Sequence, residues 1–198
     1  MDLDPTTLSP RDAYQMLIAC VVPRPIAWTS TLSVDGVPNL APFSFFGGVC
    51  TDPMTVMVSV GRRRGEPKDT AANLLATGEA VVHITHRPLA EAMVHTSVEA
   101  PPDLDEFALA GLTKAPSVRV KPFRVAEAKI ALEAVVDQHL EVGNTPVDVF
   151  LLRVLHLHVA DDVLVDGRPD PARLAAVGRL GGAGYCDTEA PFAVERPT

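Results

Sequence analysis

The sequence is short of cysteine, of cationic residues and of long apolar runs, and each shortage removes a class of protein. Its three cysteines, Cys20, Cys50 and Cys186, are odd in number and show no C-x-x-C spacing, so neither a disulfide framework nor a zinc site is expected. Lys and Arg number 17 against 25 Asp and Glu, a formal net charge of −8 over 198 residues. Such a chain lacks the basic face that grips nucleic acid or an anionic membrane. No run reaches the ~18 uncharged apolar residues of a membrane span, and residues 1–20 begin acidic rather than with the basic start of a secretory leader. A cytoplasmic protein with reduced thiols is the expectation. Catalytic signatures are missing too: there is no G-x-S-x-G elbow, no P-loop, no G-x-G-x-x-G after the first strand, and no cysteine flanked by groups that would activate it. Without internal repeats or a shift in composition, residues 1–198 read as one domain.

What is present centres on residues 24–46. An apolar run turns hydroxylic at Thr29, Ser30 and Thr31, passes an Asp35-Gly36 turn, and returns through Asn39, Ser44 and three phenylalanines. This hairpin buries many hydrogen-bonding side chains beside aromatic ones, and an unpaired buried polar group costs ~1 to 3 kcal/mol. A polar-aromatic ligand is one partner that would satisfy them.

Around the hairpin the period of the apolar residues predicts a helix over 9–20, capped by Ser9, and a strand over 54–60 with Met54, Val56, Val58 and Val60 on one face. A helix is expected over 70–77, with Asp69 or Thr70 as its cap and Leu74 and Leu75 facing inward. Further expectations are a strand at 79–86, a helix at 88–98, a surface excursion at 99–117, strands at 129–137 and 147–160, and a short helix at 171–177. The sum is a largely antiparallel barrel with peripheral helices; the alternation also allows a doubly wound parallel sheet, against which the hairpin turn and the missing dinucleotide fingerprint weigh.

Most polar residues have a plain structural reading. His156 and His158 share a strand face at a spacing metal sites use, yet two ligands are not a site, and no metal is expected. Cys20 and Cys50 read as small core residues, and a lone Trp28 in a strand is ordinarily core. Paired carboxylates such as Glu91 and Glu99 are explained by solvation, so no catalytic acid or base is assigned. The loop Gly61-Arg62-Arg63-Arg64-Gly65-Glu66-Pro67-Lys68 is either a solvated basic loop or, leading into a helix N-terminus, a phosphate cradle. With the hairpin and the terminal Arg179-x-Gly-Gly-x-x-Tyr185, it makes a set of donors, cations and close-approach backbone suited to a flavin nucleotide.

These residues also carry a family resemblance. Pro-Arg-Pro-Ile-Ala-Trp-Thr-Ser-Thr at 23–31, the Asp35-Gly36 turn, Asn-Leu-Ala-Pro-Phe-Ser-Phe-Phe at 39–46 and Asp52-Pro53 are followed by Lys68-Asp69-Thr70 with Asn73. Asp105-Glu106-Phe107, Ala110-Gly111-Leu112-Thr113 and Arg179-x-Gly-Gly-x-x-Tyr185 complete the series. The ordered set resembles the flavoredoxin-like branch of the flavin reductase family, whose fold is a mainly β, antiparallel Greek-key FMN-binding split barrel with peripheral α-helices. The resemblance implies a homodimer with FMN, rather than FAD, at or near the subunit interface. It puts Trp28, Thr29, Ser30 and Thr31 along one side of the cofactor and Asn39, Ala41, Pro42 and Ser44 at the ring edge. Ser59, Arg62, Lys68 and Thr70 would hold the phosphate end, and Arg179 and Tyr185 complete the cofactor-binding set. Gly47-Gly48 and His83 depart from the family's usual residues on the substrate side. The activity implied is NAD(P)H-dependent reduction of bound flavin, with electrons passed to free flavin or another acceptor. The alternatives are an FMN-binding electron carrier or flavin store without pyridine-nucleotide activity, and an oxidase or monooxygenase partner on the same fold.

Overall fold

Alternating apolar side chains turn one face of a seven-stranded sheet inward, with Phe46 the one contribution from its last edge strand. In the computed structural model, which describes residues 1–195, these strands are β1 (Ala27–Leu32), β2 (Pro38–Phe43), β3 (Phe46–Thr51), β4 (Met54–Val60), β5 (Glu79–Ile84), β6 (Ile130–Val142) and β7 (Val147–Val159). All neighbours pair antiparallel in the order β2-β1-β5-β6-β7-β4-β3. The two outermost strands, β2 and β3, are consecutive in the chain and separated only by Ser44 and Phe45. Three Cα steps reach at most about 11 Å, so the sheet must curl until its edges come close, leaving a barrel split along one seam. Inside lie Ala27, Val58, Val60, Val82, Leu132 and Phe150, among others, as one apolar cluster.

The β1–β2 hairpin closes at the expected turn. Gly36 takes φ +82°, a conformation that side-chain-bearing residues rarely adopt. From β4 the chain crosses one end of the barrel as α2 (Asp69–Thr77), whose Ala71 and Leu74 plug the interior. The outer face of β1 and β2 is covered separately. Ile26, Trp28 and Leu40 pack there with Met93 of a short helix α3 (Ala90–His95), Phe107 of α4 (Glu106–Leu109), and Val177. The C-terminal segment is tied to this layer because residues 177–179 pair with both Arg24–Pro25 and Tyr185–Asp187.

Several expectations change in detail. Leu75 is half exposed, because Thr70, Ala71, Asn73 and Leu74 take the inward positions of α2. Neither Asp69 nor Thr70 caps that helix; Lys68 holds the N-cap position and makes no side-chain cap bond. Cys20 and Cys50 are exposed rather than core. Cys20 ends the helix α1 (Pro10–Cys20), of which only Ile18 is buried, and Cys50 lies on the edge strand β3. Strand β6 runs to Val142, past the expected end at 137, because it goes on pairing beyond the end of β5 with the stretch of β7 that also pairs with β4. The metal reading of His158 gives way to a hydrogen bond with the buried Glu133 at 2.5 Å, and among the described residues no cluster is arranged to hold a metal. Burial opposes the charge of Glu133, but His158 and the N–H groups of Val118 and Arg119 hold its carboxyl below the usual range.

His83 joins the two layers. Its Nδ1 lies 2.8 Å from the Trp28 carbonyl and its Nε2 accepts the Val125 N–H at 2.9 Å, so the ring must be neutral with the proton on Nδ1. Burial, the largest cause, pushes its pKa from 6.5 down to about 4. Between those values the unfolded chain takes up a proton that the folded chain refuses, so stability falls as pH falls through this window. The loss should reach about 3 kcal/mol at most. Unfolding free energies from urea titrations at pH 7 and pH 4.5 should differ by about 2 kcal/mol in the wild type and by much less in His83→Asn; an equal pH dependence in both would show that another group is responsible.

Candidate functional site

A strand at the edge of a sheet exposes alternate backbone groups, and β2 is such a strand. Its outward N–H at Leu40 is accepted by Glu106 Oε2 at 3.0 Å. The positions two residues to either side, whose backbone faces the same way, are Pro38 and Pro42, which have no N–H to leave unpaired. No further strand can therefore pair along β2, and residues of this edge line a cleft. Glu106 is 7% exposed, and burial, the largest cause, raises its pKa; the Leu40 N–H works the other way and nearby Asp69 and Asp105 add to the rise.

Below this edge a buried amide–hydroxyl network ties β1, β2 and α2 together. Asn39 Nδ2 donates to Thr31 Oγ1 at 3.1 Å and to Thr70 Oγ1 at 2.9 Å, and Asn73 Nδ2 donates to Thr31 Oγ1 at 3.0 Å. The network fixes the start of α2 against β2. That start faces a cavity of about 110 Å³ whose walls include Asn39, Ala41, Arg63, Lys68, Thr70 and Glu106. Lacking a side-chain cap, the first turn of α2 presents unpaired N–H groups beside two cations. The Arg63 Nε is itself buried without a hydrogen-bond partner, although its guanidinium lies 3.2 Å from Glu99. A second cavity, of about 220 Å³, shares Pro42 and Ser97 with the first and extends along Ser44 to Arg24, Arg179 and Tyr185. The two form one elongated cleft with a cationic, donor-rich end and an end walled by arginine and tyrosine.

Of the residues singled out from the sequence, the structure brings Asn39, Ala41, Pro42, Ser44, Lys68, Thr70, Arg179 and Tyr185 to this cleft. Trp28, Thr29, Ser30 and Thr31 are all buried behind it. The Trp28 indole N–H donates to Thr96 Oγ1 at 2.9 Å, Thr31 reaches the cleft only through Asn39, and the Ser30 hydroxyl has no partner. Ser59 and Arg62 lie outside the cleft lining. Arg62 makes a paired contact with Asp148, Nε to Oδ2 at 2.9 Å and Nη2 to Oδ1 at 2.8 Å, and a further one with Glu141 at 2.7 Å. Its neighbour Arg63 is the arginine of the triplet that lines the cleft. Arg24, Ser97 and Glu106 also line it without having been assigned a role from sequence. Arg24 and Glu106 sit inside the quoted motifs, and their position was the available signal.

The architecture is a split antiparallel barrel whose cleft carries an uncapped helix start and cations at one end. Residues 19–172 match the family described as flavin reductase like domain, and the chain belongs to that family. An uncharacterised protein of Halalkalibacterium halodurans is 41% identical over 203 residues, covering 100% of this chain and 97% of that protein. Component B of nitrilotriacetate monooxygenase from Bacillus cereus superposes with a TM-score of 0.94 at 33% identity, covering 98% of each chain. A protein from Shewanella frigidimarina described as having a split barrel domain superposes with a TM-score of 0.84 at 18% identity over 100% of this chain and 99% of the other, which establishes the fold.

The role of Glu106 at the edge is open to measurement. Glu106→Ala leaves the buried Leu40 N–H unpaired and should cost ~1 to 3 kcal/mol in urea unfolding at pH 7. Glu106→Gln keeps an acceptor and removes a carboxylate that is hard to ionise in place. Because a raised folded pKa makes ionisation destabilising as pH rises, the Gln variant should be at least as stable as wild type at pH 7. A Gln variant as unstable as the Ala variant would refute this account.

Proposed function

We propose that the protein is an FMN-binding oxidoreductase that passes hydride from NAD(P)H, through bound FMN, to free flavin or another acceptor. The observation that carries this reading is the uncapped start of α2, opening on a cavity that also holds Lys68, Arg63 and the Thr70 hydroxyl. Unpaired helix N–H groups and two cations form a phosphate site by the chemistry of their donors. Asn39 lies at that end, bonded to Thr70, and Pro42 and Ser97 lead from it to the wider part of the cleft. FMN would supply the hydride chemistry itself. The chain's task is then to bind, to orient and to exclude water. The similarity to a monooxygenase component supports an oxidoreductase.

The assembly we propose is a homodimer. Tyr14, Leu17 and Val21 on and after α1 are about half exposed, as are Val49 and Met54 of β3 and β4. Nearby a groove of about 300 Å³ is lined by Leu17, Val21, Phe45, Phe46 and Met57. An apolar surface of this kind is the usual mark of a subunit contact.

Two measurements test the proposal. Replacing Lys68 or Thr70 by Ala should weaken FMN binding by ~1.5 to 3 kcal/mol in a fluorescence titration. Variants that stay as yellow as wild type after dialysis would place the phosphate elsewhere. Under anaerobic conditions, excess NADH or NADPH should bleach the flavin band of the FMN-loaded protein. Retained colour would leave an FMN-binding carrier or store, and a protein that takes up no FMN at all would end both readings.

A further inference from the structure

The wider end of the cleft holds a feature that binding of a flavin phosphate does not use. Arg24 is 4% exposed, and its Nη1 donates to the Ile18 and Val21 carbonyls at 2.6 and 3.0 Å. Its Nη2 donates to the Leu180 carbonyl at 3.1 Å, and its Nε reaches Ser44 Oγ only at 3.4 Å. Arg179 lies across the Tyr185 ring, 4.4 Å from its centroid, and donates to the Tyr185 hydroxyl and the Gly182 carbonyl. Every one of these partners is neutral. Among the described residues neither guanidinium has a carboxylate at ion-pair distance, whereas Arg62, Arg63, Arg87 and Arg153 all do. The chain carries eight more acidic than basic side chains, so an acidic partner was abundantly available. Two cations lining one cavity without an anion are costly unless something else supplies the charge.

We propose that this cavity binds the carboxylate of a small organic acid, with Arg179 and Arg24 as its counter-charges. Arg24 commits three of its five N–H groups to carbonyls, which fix the plane of the guanidinium and leave one Nη2 hydrogen and the weakly engaged Nε for a ligand. A planar fork of this kind matches a carboxylate better than a point charge would. The remaining walls mix Ser44, Ser97 and Gly182 with Tyr14, Pro42 and Val94, so a small acid would find hydroxyl groups beside a limited apolar surface. At about 220 Å³ the cavity is below the ~300 to 1,000 Å³ of sites that engulf larger ligands, so a dinucleotide does not fit within it. Pro42 and Ser97 are common to both ends of the cleft, so an acid held here lies against whatever occupies the rest of it. Only that last point rests on the flavin reading; the anion site itself does not.

The test is calorimetric titration with benzoate, and with benzamide as its neutral counterpart, of the full chain with and without added FMN. Benzoate should bind in both states, with benzamide at least tenfold weaker. Arg179→Met should lower benzoate affinity tenfold or more and Arg179→Lys by a smaller factor, with folding checked by circular dichroism; Arg24→Lys, which keeps the charge but loses the fork, should lower it severalfold. Absence of benzoate binding, equal affinity for benzamide, or unchanged affinity in the folded Arg179 variants would overturn the inference. Displacement of benzoate by FMN would also overturn it, since the arginines would then belong to the flavin site. A protein that takes benzoate but no FMN would retain this site and remove the proposed function.

Discussion

The hydrogen bond from the Leu40 N–H to Glu106 is the constraint around which the rest of the molecule is arranged. A barrel that is split must expose two strand edges, and an exposed edge either pairs, aggregates or is blocked. Here β2 is blocked from within its own sequence by Pro38 and Pro42, and the one outward donor between them is satisfied by a carboxylate brought from 66 residues further along the chain. The contact requires the excursion after β5 to fold back over the hairpin, which in turn brings Phe107 and Met93 onto Trp28 and Leu40. One polar contact and one apolar layer thus depend on each other, and together they keep the cleft open.

Buried charge elsewhere in the protein follows the opposite rule. Asp148 meets Arg62 and His139, and Glu133 meets His158 and two backbone N–H groups, so each carboxylate is paired several times over. These contacts lie on the long β6–β7 hairpin and its neighbours and stiffen the side of the barrel away from the seam. Against that background the buried Arg24, held only by neutral groups, differs from the buried carboxylates.

Much of this architecture is legible in the sequence because it is local. The Asp35-Gly36 turn, the alternation at 54–60 and the Ser9-Pro10 helix start each specify their element within a few residues, and the ordered motifs fixed the family. Residue roles were less legible wherever they depend on which face a strand turns to the seam. Thr29, Ser30 and Thr31 look equally suited to a ligand as a string, yet all three are buried and only Thr31 touches the cleft network. The arginine triplet posed the same problem: choosing between Arg62 and Arg63 requires knowing that Asp148, on a distant strand, already occupies the first. Leu75 and the two outward cysteines were misjudged because hydrophobic character alone does not tell a core position from an exposed one.

The two-residue link between β2 and β3 has a mechanical consequence. Ser44 and Phe45 tether the lips of the seam at one end, and the Phe45 carbonyl is pinned there by the Ser59 N–H at 2.8 Å. Any widening of the gap between β2 and β3 is therefore a rotation about this tether, like the opening of tweezers. Its amplitude is smallest beside Ser44 and grows toward Pro38 and Thr51. The lips beside Ser44 thereby keep a nearly constant separation, while the sheet edges further from the pivot have the greater travel.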